Sequence, residues 1–192
     1  MFPAVLDISN LHVTLAGNGS AAARRLTQIR AAGAGWVEIY SPNPGPALTS
    51  IAADANLPRW PTAEEIRQTN VLFLAGMPDD VAEELAGHAR AARVLVNTED
   101  NKPLCDFHVP AMVRRGDLLL TVSTGGKAPG LSKHLRRELE QVFGPEWVAK
   151  LEHLADARSR WLETGADLPE LAELSEEYIS TEFGGPQWVS QS

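Results

Sequence analysis

Cysteine is almost missing from this chain: Cys105 stands alone in 192 residues. A single thiol excludes an internal disulfide and gives no sign of an oxidising compartment. Flanked by Leu104 and Asp106, with no thiolate-activating base beside it, Cys105 reads as packing. The five histidines, His12, His88, His108, His134 and His153, show no H-x-x-H or Cys/His spacing, so no permanently held metal is expected. His108, between Phe107 and Val109, reads as a packing residue. No apolar run is long enough to cross a bilayer, and the N-terminus lacks a basic start, apolar core and small-residue cleavage site. The cytoplasm is the expected location, with no membrane contact. Positive charge is also in deficit, 17 Lys and Arg against 25 Asp and Glu, and a net charge of −8 argues against nucleic-acid binding. No internal repeat is present.

What remains is ordinary globular composition, 44% hydrophobic and 22% charged, enough for one good-sized core and a smaller appendage. Strand and helix patterns alternate. His12–Ala16 reads as a strand, Ala21–Ala32 as a helix stopped by Gly33, and Trp36–Tyr40 as a second strand. Pro42-Asn43-Pro44-Gly45-Pro46 breaks the chain, and helical patches follow at Leu48–Ala55 and Ala63–Gln68. Val71–Ala75 is the apolar run of a buried parallel strand. A helix over Asp79–Ala92 and a strand over Val94–Val96 complete the series. This alternation predicts an α/β fold with a Rossmann-like, doubly wound parallel sheet. A strand at Leu118–Ser123 and helices at Leu131–Phe143, Trp147–Leu162 and Leu168–Ile179 come after it. The expected division is a nucleotide-binding domain over residues 1–109, a strand–helix segment over 110–142 and a small helical domain over 143–192, fraying from Gly184 on.

Three features carry chemistry. Gly17-x-Gly19-x-x-Ala22 follows a strand and opens a helix, where a dinucleotide fingerprint belongs. Gly17 makes the tight turn there, and Gly19 lets the backbone approach a pyrophosphate resting on the helix N-terminus. The acid that commonly reads a ribose would fall near Ser41, where none stands. Glu38 lies inside the strand and reads as solvent-facing, and no arginine follows to meet a 2′-phosphate, so NAD is favoured over NADP. Second, Asp100 follows the Val94–Val96 strand by a few residues, placing a carboxylate over the crevice where open α/β sheets bind ligands. It is a candidate proton acceptor or a turn cap; Glu99 beside it is a decoy, and Asn97 caps the strand or bonds a nicotinamide ribose. Third, six cations (Arg114, Arg115, Lys127, Lys133, Arg136, Arg137) face three acids between Pro110 and Gln141. This basic island on an acidic chain suits an anionic small molecule, or is a solvated helix face.

On these residues the chain resembles the precorrin-2 dehydrogenase/sirohydrochlorin ferrochelatase family, the module that opens multifunctional siroheme synthases. The resemblance runs over about residues 2–151. It is carried by Phe2-Pro3-x-x-Leu6-Asp7, Gly17-Asn18-Gly19 with Arg24-Arg25, and Asn97-x-x-Asp100. The most specific blocks are Phe107-x-x-Pro110-Ala111-x-x-Arg114-Arg115-Gly116 and Ser123-Thr124-Gly125-Gly126-Lys127-x-Pro129. It implies NAD-dependent oxidation of precorrin-2 to sirohydrochlorin and, in many members, insertion of ferrous iron as a substrate to give siroheme. It places the catalytic aspartate on Asp100 and the nucleotide contacts on Gly17, Asn18, Gly19, Ser20 and Ala21, with Pro42 and Asn43 near the adenosine; Asn97 joins them as a cofactor candidate from its own place at the strand end. Its substrate-side hydroxyl falls on Ser123 or Thr124, beside Gly125, Gly126, Lys127 and Arg114. It also implies a homodimer joined through about residues 110–141. Precorrin-2 carries eight carboxylates, which the basic island suits.

One stretch departs from the family pattern. Where members carry Ala-Thr-Asp-Asp and a later Asn, this chain has Ala75-Gly76-Met77-Pro78-Asp79-Asp80 and Ala82. Altered nucleotide binding is expected from that, and two rivals follow: a chelatase without dehydrogenase activity, and a non-enzymatic nucleotide- or tetrapyrrole-binding protein. Nothing resembling the methyltransferase half of the fused enzymes is present, so uroporphyrinogen methylation is expected elsewhere.

Overall fold

A computed structural model describes residues 2–52 and 55–184; the expected fraying beyond Gly184 lies outside the described residues. The chain divides into two compact units, 1–109 and 110–192.

The first unit is a five-stranded parallel sheet in the order β3-β2-β1-β4-β5. Its strands are β1 (His12–Gly17), β2 (Trp36–Tyr40), β3 (Asn56–Leu57), β4 (Val71–Ala75) and β5 (Leu95–Thr98). Helices α1 (Gly19–Ala31), α2 (Gly45–Ala52), α3 (Ala63–Arg67) and α4 (Asp79–Ala91) connect them. Strand alternation sorts the side chains into two layers. Val13, Leu15, Ile39, Val71 and Phe73 pack against Ala22, Leu26, Ile29 and Leu48 of α1 and α2. Ala16, Tyr40, Leu72, Leu74 and Val96 pack against Ile66, Ala82, Leu85 and Ala89 of α3 and α4. With helices on both faces, all of β4 is buried, as its unbroken apolar run predicts.

Three local expectations change. Gly45 and Pro46 do not simply break the chain. Gly45 takes a left-handed φ of 65° and Pro46 sits in the first turn of α2, where its missing N–H costs nothing, so the helix starts earlier than Leu48. Glu38 does not face solvent alone: Tyr40 Oη donates to its Oε2 at 3.0 Å, and His12 Nε2 lies 3.5 Å away. His108 is exposed, because Phe107 and Val109 on either side turn to the core and alternation turns His108 out.

In the second unit, β6 (Ala111–Arg115) and β7 (Leu118–Val122) form an antiparallel hairpin, followed by α5 (Pro129–Val142), α6 (Trp147–Glu163) and α7 (Leu168–Tyr178). Gly116, at φ 59°, starts the two-residue Gly116-Asp117 turn, the position where a type II′ hairpin demands glycine. The expected 110–142 and 143–192 segments are joined in this one unit. Arg115 Nε donates to the Phe143 carbonyl at 2.8 Å, and Phe143 stacks on Trp147 with ring centres 4.8 Å apart.

Candidate functional site

The parallel sheet sends the carboxyl ends of β1, β2, β4 and β5 to one edge, and the loops there are pressed together. A Cβ on Gly17 would stand 2.1 Å from the Ala75 carbonyl oxygen, so only glycine lets β1 turn beside β4. Gly76, at φ 64°, meets the same loop from the other side; its Cβ would lie 2.5 Å from the Asn18 carbonyl oxygen. Asn18 N–H donates to Ala75 O at 3.0 Å, and Gly19 N–H to Pro44 O at 3.0 Å. The sequence does not reveal that Gly76 and Gly45 share in this closure. Its signal is the placing of glycine immediately after β4 and at the first residue of α2.

Asn18 is the N-cap residue of α1, yet its side chain does not cap that helix. Its Oδ1 accepts instead from Ser41 Oγ at 2.8 Å and from Asn43 N–H at 3.1 Å, tying the loop after β1 to the loop after β2. Ser41 is fully buried, whereas Pro42 and Asn43 are exposed. The turned-away cap leaves the N–H groups of Ser20 and Ala21 at the start of α1 without a protein acceptor among the described residues. No acidic residue occupies that first turn. Positive dipole, free donors and a cradle closed to any Cβ fit a pyrophosphate.

Asp100 sits on the same edge, two residues beyond β5. It is exposed and takes a left-handed φ of 60°, which is uncommon for any residue with a Cβ. Its neighbour anchors it: Glu99 N–H donates to Leu74 O at 2.9 Å, and Glu99 Oε1 pairs with Arg24 Nη2 of α1 at 3.2 Å. Glu99 is thereby engaged with α1, while Asp100 forms no ion pair among the described residues. Asn97 lies inside β5 and is buried; its Nδ2 donates to Phe107 O at 2.9 Å. Its Oδ1 is left without a partner among the described residues. Cys105 accepts from Thr98 N–H and donates to Thr98 O, which locks the chain leaving β5.

The residues expected on the substrate side, Ser123 to Lys127 and Arg114, belong to the second unit. Thr124 Oγ1 is committed to the start of α5: it lies 3.1 Å from Ser132 Oγ and accepts from Ala128 N–H at 3.3 Å. Ser123 is exposed and its Oγ accepts from Gly125 N–H at 3.3 Å, leaving its proton for another partner. Gly125 and Gly126, at φ 63° and 80°, make the left-handed turn between them and Lys127. Of the six cations, Arg115 bonds the Phe143 carbonyl and Arg136 pairs with Glu140 one turn away. Arg114, Lys127, Lys133 and Arg137 are exposed. Among the described residues there is no cluster of His, Cys, Asp and Glu able to hold a metal, and no helix is long and apolar enough to cross a membrane.

The sheet order and the glycine cradle define a nucleotide-binding α/β unit, and the chain belongs to the family described as putative NAD(P)-binding, whose model matches residues 4–111. Residues 115–141 match a second model, described as sirohaem biosynthesis protein central. The chain is similar to the precorrin-2 dehydrogenase of Bacillus subtilis, 28% identical over 164 residues, which cover 83% of this chain and 99% of that protein. It is likewise similar to siroheme synthase 1 of Klebsiella pneumoniae, 32% identical over 83% of this chain. The siroheme synthase of Pseudoalteromonas atlantica is 28% identical over 78% of it. The chain covers about a third, 33%, of the length of these two siroheme synthases. Among solved structures, SirC, a precorrin-2 dehydrogenase, shares the fold with a TM-score of 0.78 at 20% identity, over 98% of this chain and 94% of that one.

Proposed function

We propose that this chain oxidises precorrin-2 to sirohydrochlorin, with NAD as oxidant. The observation that carries the reading is Asp100, an exposed and unpaired carboxylate held in a strained backbone on the sheet edge that bears the Gly17–Ala21 cradle. The family and the relatives named above support the choice of reaction.

The dinucleotide supplies the hydride acceptor. The N–H groups of Ser20 and Ala21 hold its pyrophosphate, Gly17 makes the turn beside β4, Gly19 keeps the approach clear, and Pro42 and Asn43 border the adenosine. The exposed loop after β2 carries no arginine, which suits NAD rather than NADP. Asn97 Oδ1 accepts a donor from the ribose or carboxamide side. Asp100 takes the proton released as the tetrapyrrole carbon loses hydride, so precorrin-2 and NAD⁺ give sirohydrochlorin, NADH and a proton. In the second unit Ser123, rather than the committed Thr124, is the candidate hydroxyl. Arg114 of β6 and Lys127, which follows the Gly125-Gly126 turn, are candidate partners for substrate carboxylates.

The siroheme synthase relatives favour a second step, insertion of ferrous iron as substrate, with Asp100 accepting pyrrole protons. A homodimer is part of the same reading. Helix α5 buries none of its side chains in the single chain, and Leu131, Leu135 and Val142 form an apolar stripe 40–50% exposed. A second copy of this chain is the occupant we assign to it. Anaerobic incubation with precorrin-2 and NAD, followed by ferrous iron, separates the alternatives. NADH formation marks the dehydrogenase, metal insertion into supplied sirohydrochlorin without NADH formation marks a chelatase alone, and binding without turnover marks a carrier.

A further inference from the structure

Helix α1 carries two consecutive arginines with different fates. Arg24 reaches Glu99. Arg25 is half-buried and lies over Phe73 of β4, its guanidinium carbon 5.4 Å from the ring centre, and it makes no hydrogen bond or ion pair among the described residues. A guanidinium carries five N–H donors, and leaving them without acceptors away from bulk water is costly. Loss of hydration is the largest influence on this group and lowers its pKa; the charges of Glu99 and Cys105 oppose it and that of Arg24 adds to it. The Glu99 carboxylate is bonded by Arg24, so the N–H groups of Arg25 are left without a protein acceptor among the described residues.

The surroundings give the empty donors a direction. The Phe73 ring covers one side of the guanidinium, so the N–H groups on its other sides remain for a ligand. Phe73 stands beside Asn97 in the β4–β5 register, and Asn97 is 5% exposed with Oδ1 unpartnered. An unpaired planar cation and a buried, unpaired acceptor thus occur on one face of the sheet, next to the strand end that leads into Asp100. Arg25 is the seventh residue of α1, about 6–8 Å of helix rise below the Ser20 and Ala21 N–H groups that suit a pyrophosphate. A rigid fork of donors matches a carboxylate in bidentate fashion.

We propose that Arg25 is a substrate-binding residue that receives one carboxylate of the acidic tetrapyrrole. The inference rests on the precorrin-2 reading and adds to it an anchor in the first unit, beside the proton acceptor. A two-point hold there fixes which edge of the macrocycle faces Asp100.

The test compares Arg25→Gln and Arg25→Lys with the parent chain. Sirohydrochlorin binding is followed by quenching of tryptophan fluorescence, NAD binding by titration, the KM for precorrin-2 by turnover, and folding by Tm. Arg25→Gln should weaken sirohydrochlorin binding and raise the KM on the order of ten- to a hundredfold, the size of a lost charged hydrogen-bond pair. NAD affinity and Tm should stay unchanged. Arg25→Lys keeps the charge but not the fork and should restore part of the binding. Unaltered sirohydrochlorin affinity in Arg25→Gln overturns the proposal. So does an equal loss of NAD affinity, which would put Arg25 at the nucleotide, or a fall in Tm with no loss of binding in Arg25→Lys, which would make it a packing residue. Sirohydrochlorin binding needs no turnover, so the two readings fail separately. A parent chain that binds through Arg25 but makes no NADH contradicts the dehydrogenase alone; an active one whose binding ignores Arg25 contradicts this inference alone.

Discussion

Asn18 and Ser41 are 23 residues apart in sequence, and the Ser41 hydroxyl donates to the Asn18 side-chain oxygen at 2.8 Å. With the bonds from Asn43 N–H to the same oxygen and from Gly19 N–H to Pro44 O, it ties the loop after β1 to the loop after β2, and it draws the N-cap side chain away from its own helix. Asn18→Ala should leave the buried Ser41 hydroxyl without an acceptor and free the Asn43 loop. The cost is about 1–3 kcal/mol in stability. NAD affinity should fall about tenfold or more, because the loops must then be ordered on binding. Thermal melts and NAD titration check both.

The glycines divide sharply. Gly17→Ala drives a Cβ against the Ala75 carbonyl and should cost on the order of 4 kcal/mol or more, enough to threaten the fold of the first unit. Gly87, exposed within α4, has nothing within 4 Å of an added Cβ. Gly87→Ala should stabilise by about 0.5–1 kcal/mol. Melting temperatures of the two variants should move in opposite directions.

Acid sensitivity centres on Glu65. Arg59 first, then the N–H and hydroxyl of Thr62, hold its carboxyl well below its ordinary value of 4.5. A carboxylate with a lowered folded pKa lends stability that is complete above the unfolded value and is lost as pH falls through the folded one. The parent Tm should therefore drop as pH falls below 4.5, and Glu65→Gln should show a lower Tm at neutral pH with a flatter acid limb. A pH series of thermal melts reads this directly.

The hydroxyl pair in the second unit separates by variant. Thr124→Ala should lower Tm by removing the acceptor for Ala128 N–H just before α5, a lost hydrogen bond of about 1 kcal/mol. Ser123→Ala should leave Tm in place and lower turnover of precorrin-2. Loss of turnover only in Thr124→Ala would reverse the assignment.

Leu135→Glu should turn a dimer into a monomer, by putting a charge in the apolar stripe of α5. Sedimentation equilibrium of the variant against the parent chain measures it; a parent chain that is already monomeric removes the dimer from the reading.

Much of the first unit is legible in the sequence because its signals are local. Trp36–Tyr40 and Val71–Ala75 are apolar runs with clear ends, and they form strands over those residues. The two-residue β3 has no signal of its own. Strand β6 is masked by Arg114 and Arg115, although Gly116-Asp117 between two apolar stretches is a hairpin signature. Within the site, the Gly17 loop and the strand-end Asp100 follow from spacing. The Asn18–Ser41 bond, the closure by Gly76 and the unpaired state of Arg25 do not, since each depends on a neighbour distant in the chain. His108 shows the same limit, because its flanking apolar residues foretell its burial and alternation denies it.

Proton acceptance by Asp100, on the sheet edge that bears the Gly17–Ala21 turn, is the step on which the proposed oxidation depends. The left-handed backbone at this residue supplies a variant that is mild to the fold: Asp100→Gly should hold or raise stability by up to about 1 kcal/mol. The most direct measurement is NADH formation from precorrin-2 and NAD by the parent chain, Asp100→Gly and Glu99→Gln, with NAD affinity measured on the same samples. The account predicts that Asp100→Gly binds NAD as the parent does and forms no NADH, while Glu99→Gln still turns over. Undiminished NADH formation by Asp100→Gly would contradict it.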